Sequence, residues 1–528
     1  MRLDWFRVQS FKNLRNFFIN FDENRLTTVL IGINGSGKSN LIEALALLFR
    51  ELDTNNENTP PFDFAICYRC HGIKITIKTP VFRAEKEPTW KGYRIVIETP
   101  EGEQAISWNN FKDNRDKYLP THVFAYYSGP GERLKTYFVR HQKKFYSDII
   151  NDDSGRIPSL RRLFYCLPEH SQFVLLSYFF QAEGLPDFLH DFFDIDGFDS
   201  ALLVLHKPWW ADRQSREAKD RGDVRFWHAR GLVKHFLQKV WEEALAPIYE
   251  TATVEDDFRD RPKSEERLYL YIPDLTTLRR LTREWMTARG FFASLESSYI
   301  SDLTRDVRIW VKRGGEVVPF MELSEGEKQL LTVVGLLRFT RTEESLFLLD
   351  EPDTHLNPRW KLRYLEVLHK EVGAFENSQM LISTHDPLTI AGLEANQVQI
   401  FERQENQIQA RQPDVDPRGL GVSGVLIRMF GLPSTLDLET QRKLTQRNEL
   451  AAKNDRTVEQ ERELISLSRE LADLGLVYEA RDPQYQRFLE ELHLWESKQQ
   501  RKLGSLPNEE QAVIVGQILD DMFGADAS

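Results

Sequence analysis

The stretch Gly32-Ile33-Asn34-Gly35-Ser36-Gly37-Lys38-Ser39 constrains this chain more than any other, because it works only with a strand before it and a helix after it. Leu26 to Ile31 supply an apolar run broken by two threonines, which suits a strand buried on both faces. Asn40 to Phe49 then place apolar residues at helical spacing. A loop of this composition between such elements cradles phosphate. Its glycines turn the backbone tightly and aim N–H groups inward, and the helix N-terminus adds positive potential. Lys38 can reach the β- and γ-phosphates and Ser39 can offer its hydroxyl to Mg²⁺. Asn34, Gly35, Ser36, Gly37, Lys38, Ser39 and Asn40 are therefore the expected nucleotide contacts, with ATP and Mg²⁺ as the expected cofactors.

A second half of the site is expected at Leu346-Phe347-Leu348-Leu349-Asp350-Glu351, an apolar run that ends in two carboxylates. A surface Asp-Glu pair is commonplace, but four large apolar residues ahead of it argue for a buried strand. Asp350 is expected to hold Mg²⁺ through water or Ser39, and Glu351 to polarise the attacking water. Leu323-Ser324-Glu325-Gly326-Glu327-Lys328-Gln329 precedes the apolar helix Leu330 to Phe339. Downstream come Asp353-Thr354-His355-Leu356 and then Leu381-Ile382-Ser383-Thr384-His385-Asp386, which places a histidine after a strand. In this order they resemble the signature motif, D-loop and switch histidine of ABC-type ATPases. Phe6 to Asn16, with Phe11-Lys12-Asn13-Leu14, is similar to the opening of the SMC, RecF and OLD-type heads.

That resemblance implies an α/β fold, a P-loop NTPase with an ABC/SMC-type head. It implies Lys38, Glu351 and His385 as catalytic residues and Asp353 as a further nucleotide contact. Ser324 and Gly326 would act in trans, so the working unit would be a head-to-head homodimer with two ATP molecules between the copies. Gln142 is one candidate for the Q-loop glutamine.

The head is expected to be discontinuous, with an N-lobe over 1–128 that includes β-rich segments around Ile73 to Ile77 and Tyr93 to Glu98. The C-lobe is expected over 306–405. Residues 129–305 read as a compact helical insertion, because Leu160 to Leu205 is rich in aromatics and leucines at mixed helical spacing. Sustained heptads are absent and prolines and tryptophans recur, so the long coiled coil of chromosome-organising SMC proteins is not expected. Residues 406–528 read as helical. Leu464, Leu467, Leu471 and Leu474 form a seam that could close an intramolecular hairpin or receive a partner.

Composition places this machinery inside a cell. The opening residues mix charged and aromatic types unlike a signal peptide, no apolar run is long enough to span a bilayer, and three cysteines in 528 residues argue against a disulfide framework. A cytoplasmic, non-membrane protein is expected. Cys67-Tyr68-Arg69-Cys70-His71 spells a haem-attachment pattern, but without export it reads as ordinary structural cysteine, and a zinc site would need two more ligands. Gly419 to Gly424 fits a dinucleotide fingerprint but follows a polar stretch, so it reads as a loop leading into a helix. Arg487 and His493 have a spacing seen in some RNA-cleaving helical domains and read as a solvated helix face.

A formal charge of −12 confines any nucleic-acid contact to a local patch. Lys207 to Lys239 is the best candidate, interleaving Arg213, Arg216, Lys219, Arg221, Arg225 and Arg230 with Trp209, Trp210, Phe226 and Trp227. Asp212, Glu217, Asp220 and Asp223 dilute it, so an exposed helix with internal charge pairs is the competing reading. Arg140, Lys143 and Lys144 form a smaller cluster.

Beyond the motifs, three longer passages carry a narrower resemblance: Thr121 to Leu134 with its Tyr126-Tyr127-Ser128-Gly129-Pro130 core, Phe164 to Phe173, and Gly421 to Asp437. Together they resemble restriction-system-associated ATPases, the PtuA-like family of Septu anti-phage systems, also found with retrons. The resemblance implies a separate HNH nuclease partner of the PtuB type, and it admits DNA, or retron msDNA with a reverse transcriptase. OLD-type enzymes carry a metal nuclease after the head. Here Asp414-Val415-Asp416 is present without an apolar strand ending in the catalytic glutamate, so that nuclease is not expected. An SMC/RecF-like DNA repair clamp and a self-contained effector nuclease are the competing readings.

Overall fold

The computed structural model describes residues 1–84, 89–100, 102–129, 131–180, 187–254, 262–283, 285, 287–339, 344–372, 377–404, 407–453, 455–474, 495, 511 and 513–517. Contacts divide the chain into two units, Met1–Gly431 and Leu432–Ser528.

The first unit is built on a seven-stranded sheet of β1 (Thr27–Ile31), β2 (His122–Tyr127), β3 (Leu163–Tyr165), β4 (Ser345–Asp350), β5 (Gln379–Ser383), β6 (Val398–Gln404) and β7 (Gln407–Arg411). Its order is β7-β6-β1-β5-β4-β2-β3, with every pair parallel except β6-β7. Register sets Asp350 opposite Ser383 on one side and Tyr127 on the other, so segments far apart in sequence leave the sheet at one edge. That edge, the carboxyl end of parallel strands, is where α/β sheets hold ligands.

The apolar run in β4 follows from burial on both faces. Leu346 and Leu348 enter one core, while Phe347 and Leu349 enter the other. The first core lies among this sheet, α1 (Lys38–Thr54) and a six-stranded antiparallel sheet in the order Leu14–Asn20, Arg2–Phe11, Phe64–Cys70, Ile73–Lys78, Arg94–Thr99, Gly102–Ile106. The second core joins the opposite face to a five-stranded antiparallel sheet in the order Leu245–Val254, Lys263–Ile272, Ile195–His206, Thr304–Arg313, Glu316–Pro319.

That last sheet corrects the expectation of a helical insertion over 129–305. Helices are present, among them α2 (Lys135–Asn151), but Ile195–His206, Leu245–Val254 and Lys263–Ile272 are long strands. Ala201-Leu202-Leu203-Val204-Leu205 is a short apolar run, which periodicity alone cannot assign to helix or strand. The lobe boundaries shift for the same reason. Thr304–Arg313, straddling the expected start of the C-lobe, pairs with Ile195–His206, and β3 from inside the expected insertion extends the central sheet. At the other end, the hairpin partner β7 carries the sheet past residue 405.

Among the described residues of the second unit, two helices pack on each other. Asp437 caps the helix Leu438–Ala451, and Thr457 with Gln460 forms a capping box for the helix Val458–Asp473. Leu444, Leu450, Leu467 and Leu471 are buried, and Lys443 reaches Glu470 at 3.1 Å. Of the expected seam, Leu464 is half-buried and Leu474 is exposed. Arg487 and His493 lie outside the described residues.

Leu348→Ala in the fully buried centre of β4 should cost about 2–5 kcal/mol. Leu474→Ala should change stability by less than about 0.5 kcal/mol. Urea midpoints compared with the parent protein check both.

Candidate nucleotide and metal site

The loop after β1 is tight because its neighbours crowd it. A Cβ on Gly32 would stand 2.4 Å from the carbonyl oxygen of Phe401, and one on Gly37, at φ +97°, would stand 2.8 Å from Leu14 Cδ2. Side chains other than hydrogen do not fit there. Lys38 is buried and folds back, its Nζ donating to Gly32 O at 2.8 Å and Ile33 O at 3.3 Å. Ser36 is buried with a hydroxyl that has no partner among the described residues, an orphan in the phosphate cradle. Asn34 and Gly35 are exposed. Asn13 braces the loop by donating to Gly35 O at 2.8 Å and accepting from Asn40 Nδ2 at 2.5 Å. The Phe11 to Leu14 motif thus has a local purpose.

Asp350 is fully buried at the end of β4. One of its oxygens accepts from Ser39 Oγ at 2.9 Å and from Ser383 Oγ, and the other from Arg133 Nη2 at 3.2 Å. Burial pushes its pKa above the usual carboxylate range, against those hydrogen bonds and the Arg133 charge. A carboxylate and a hydroxyl within hydrogen-bond reach at the foot of a phosphate loop are the hard oxygen donors that Mg²⁺ takes, so the residues fit that ion. Bound there, Mg²⁺ would neutralise charge on the β- and γ-phosphate oxygens.

Glu351 is placed by strain. Its backbone sits at φ +54°, a left-handed conformation uncommon outside glycine, held by its N–H donating to Ser383 O at 3.0 Å. Its carboxylate meets His385 Nε2 at 3.1 Å. That hydrogen bond, with the charges of His385, Lys38 and Arg133, keeps the Glu351 pKa below the ordinary range despite burial. Lys38 is shifted the other way: burial lowers it to about 8, with Glu351 and Asp350 opposing.

Ser324 stands immediately before α3 (Glu325–Phe339), its N–H donating to Glu327 Oε2 at 2.6 Å while its hydroxyl accepts from Glu327 N at 3.3 Å. Gly326 lets the D-loop approach, since a Cβ there would stand 2.4 Å from His355 O. Gln329 Oε1 accepts from His355 N at 3.3 Å, tying signature helix to D-loop. Asp353, an expected nucleotide contact, is tied within the chain through one of its carboxylate oxygens. Thr384 and Thr389 hydroxyls both donate to one of its oxygens at 2.6 Å, so it positions the switch segment beside His385.

Gln142, the Q-loop candidate, lies on α2 and lines a surface groove of about 1060 Å³ with Tyr146 and Trp209. The segment that does adjoin Asp350 follows β2 directly. Ser128 N donates to Asp350 O at 3.3 Å, Ser128 Oγ meets Thr354 Oγ1 at 3.1 Å, and Arg133 reaches the carboxylate. Pro130 lies outside the described residues. Sequence reasoning missed Arg133 and its second partner Glu43. Glu43 carried a signal, a carboxylate set between Ile42 and Ala44 in the apolar run of α1, whereas Arg133 sits in an irregular loop with no period to mark it.

Cys67 and Cys70 are both buried, and burial raises both thiols, Cys67 to about 11. The fold does bring Glu344 to Cys70 and His71, but its Oε2 already accepts from the Met1 amino group at 2.9 Å and from His71 N at 2.6 Å. In the basic stretch most partners are structural. Arg225 pairs with Asp223 at 2.7 Å, Lys207 with Asp212 at 3.1 Å, and the indoles of Trp210 and Trp227 donate to Ser301 O and Glu266. Trp209 differs: it is 64% exposed, with Arg213 5.5 Å from its ring. Gly421–Met429 is a helix entered from a loop, as expected. Among the described residues no helix is long and apolar enough to cross a membrane.

Comparison with known proteins agrees with this geometry. Residues 1–161 match the family described as "AAA ATPase domain", and residues 198–391 the family described as "AAA domain, putative AbiEii toxin, Type IV TA system". The chain is 30% identical over 130 residues to "Retron Vc95 probable ATPase" of Vibrio cholerae serotype O1 biovar El Tor, covering 22% of this chain and 24% of that one. It is 34% identical over 95 residues to "Septu protein PtuA" of Bacillus mycoides (strain KBAB4), covering 18% and 13%. The match therefore spans about a quarter or less of each relative's length. An SMC head domain from Thermotoga maritima overlays with a TM-score of 0.32 at 13% identity, covering 79% of this chain and 100% of that one. At that score the strand order and loop geometry carry the fold assignment, a P-loop NTPase with an ABC/SMC-type head.

Lys38 gives the site a pH dependence. Burial lowers its ammonium to about 8, while contact with phosphate favours the charged form. Binding must therefore take up a proton above pH 8, and metal-free nucleotide affinity should fall towards about tenfold per pH unit there. Fluorescent-nucleotide titrations at several pH values should show that slope, and Lys38→Met should remove it.

Proposed function

We propose that this PtuA-like ATPase closes two copies of itself around ATP and hydrolyses it, as the nucleotide-controlled subunit of a Septu- or retron-type anti-phage complex. The observation that carries the reading is the convergence of Ser39, Asp350, Glu351 and His385 at one edge of the sheet, beside a phosphate loop. In this reading Lys38 turns from its own loop carbonyls to the phosphates, and Ser36 and the loop amides complete the cradle. Asp350 and Ser39 hold Mg²⁺. Glu351, ionised and aimed by His385, takes the proton of the attacking water. Ser324 and Gly326 face the nucleotide of the other copy.

Two ATP molecules shared between copies favour the closed dimer over the open one, so occupancy becomes a population shift that a partner can read. The similarity to a Septu protein supports an HNH nuclease as that partner, restrained while nucleotide is bound. Asp416 is already committed to a loop, accepting from Ala395 N at 2.7 Å, which weighs against a metal-nuclease role for the Asp414-Asp416 pair. Nucleic acid is a second ligand in this reading, supported by the exposed Trp209 with Arg213 beside the groove that Lys135 and Lys143 line. Trp209→Ala should then cost single-stranded DNA affinity about 1–3 kcal/mol, the size of one stacking contact.

Glu351→Gln should slow turnover by roughly 10²–10⁴-fold while leaving ATP binding intact. It should also trap an ATP-dependent dimer on light-scattering chromatography. Ser324→Arg should abolish that dimer and phage protection together. A Glu351→Gln protein that stays monomeric with saturating MgATP would contradict the reading.

A further inference from the structure

Arg133 occupies an unusual position. It lies in the segment between β2 and α2, where its Nη2 donates to Asp350 Oδ2 at 3.2 Å and its Nε pairs with Glu43 Oε1 at 2.9 Å. The guanidinium also sits 5.3 Å from the Tyr127 ring, which fixes its plane. Both carboxylates it bridges are fully buried, whereas Arg133 itself is 39% exposed. Two buried acids cannot stay ionised and unpaired. Glu43 has other support, pairing with Lys12 and accepting from Tyr137 OH at 3.1 Å. Among the described residues, the other side-chain partners of the Asp350 carboxylate are the hydroxyls of Ser39 and Ser383. Arg133 is thus the cation in direct contact with the very carboxylate that the proposed function assigns to Mg²⁺. A guanidinium has no lone pair with which to bind a metal, so it cannot join the ion's ligands and must compete with it.

We propose that Arg133 is a place-holding cation: it neutralises Asp350 while the metal is away and gives the carboxylate up when Mg²⁺ enters with nucleotide, remaining on Glu43. This rests on the MgATP reading of the site. It explains why the pocket stays assembled without ligand, since the acid at its centre is never left without a positive partner. It also sets a threshold, because Mg²⁺ must displace an ion pair before it binds. The half-exposed position of Arg133 makes that displacement inexpensive, and a buried lysine or arginine could not leave so readily. Arg133 directly precedes Leu134, the N-cap of α2, so giving up Asp350 also loosens the start of a helix whose Lys135, Gln142 and Lys143 line the groove.

The test is a Mg²⁺ titration of full-length protein holding a fixed concentration of a non-hydrolysable fluorescent ATP analogue, read by anisotropy and by analogue dissociation rate. Arg133→Met should lower the Mg²⁺ concentration at half effect by roughly three- to fivefold, the size of a partly exposed charge pair. Arg133→Lys, which keeps the charge, should stay near the parent value. Analogue binding at saturating Mg²⁺, where Arg133 has already given up Asp350, should reach the same amplitude in all three proteins, which shows that the pocket is folded. A midpoint in Arg133→Met that is unchanged or raised, with binding at saturating Mg²⁺ intact, would overturn the place-holder role alone. Failure of the parent protein to bind the analogue at any Mg²⁺ concentration would instead defeat the MgATP reading, and this inference with it.

Discussion

The structure depends on one buried carboxylate. Asp350 lies at zero exposure where three segments distant in sequence meet, held by Ser39 from the phosphate loop, Ser383 from the neighbouring strand and Arg133 from the segment after β2. Burial makes its charge expensive, and its partners make that charge tolerable. Because each partner belongs to a different part of the head, anything that changes the charge at Asp350 is felt by the loop, the switch strand and α2 together. A second buried acid, Asp353, ties the D-loop to Thr384 and Thr389 beside the switch histidine in the same manner. The site is therefore connected by short polar bonds rather than by long-range motion.

The two cores supply the rigidity such bonds need. The central sheet is apolar on both faces, with α1 and the six-stranded sheet on one side and the five-stranded sheet with its helices on the other. Strands close-packed on both faces hold the backbone at their ends to a fraction of an ångström, and Glu351 can be kept at a strained φ only because β4 and β5 over-determine it. The loop that binds phosphate is likewise pinned from outside, by Phe401 against Gly32 and by Asn13 against Gly35.

Much of this was legible in the sequence where residue identity alone decides the chemistry. Gly32 to Ser39, the apolar run into Asp350-Glu351 and the histidine after β5 each announce strand, loop and ligand at once, and the fold brings Ser39, Asp350, Glu351 and His385 together. What was not legible depends on long-range pairing. Ala201 to Leu205 reads equally as helix or strand until Lys263–Ile272 and Thr304–Arg313 are known to flank it. The motif around Asp353 gives no sign of the two threonines, some thirty residues on, whose hydroxyls donate to one of its oxygens. Gln142 lies on α2 at the groove, whereas the fold places Arg133 at Asp350, and no periodicity marks a lone arginine in a loop.

The central claim is that one copy supplies the loop and acids while another supplies the signature serine. A structure determined with Mg²⁺ and a non-hydrolysable ATP analogue tests it most directly. The account predicts Ser39 and Asp350 at the metal, with Ser324 and Gly326 from a second copy against the γ-phosphate. Nucleotide bound wholly within one copy, with Ser324 of every other copy remote from it, would contradict it.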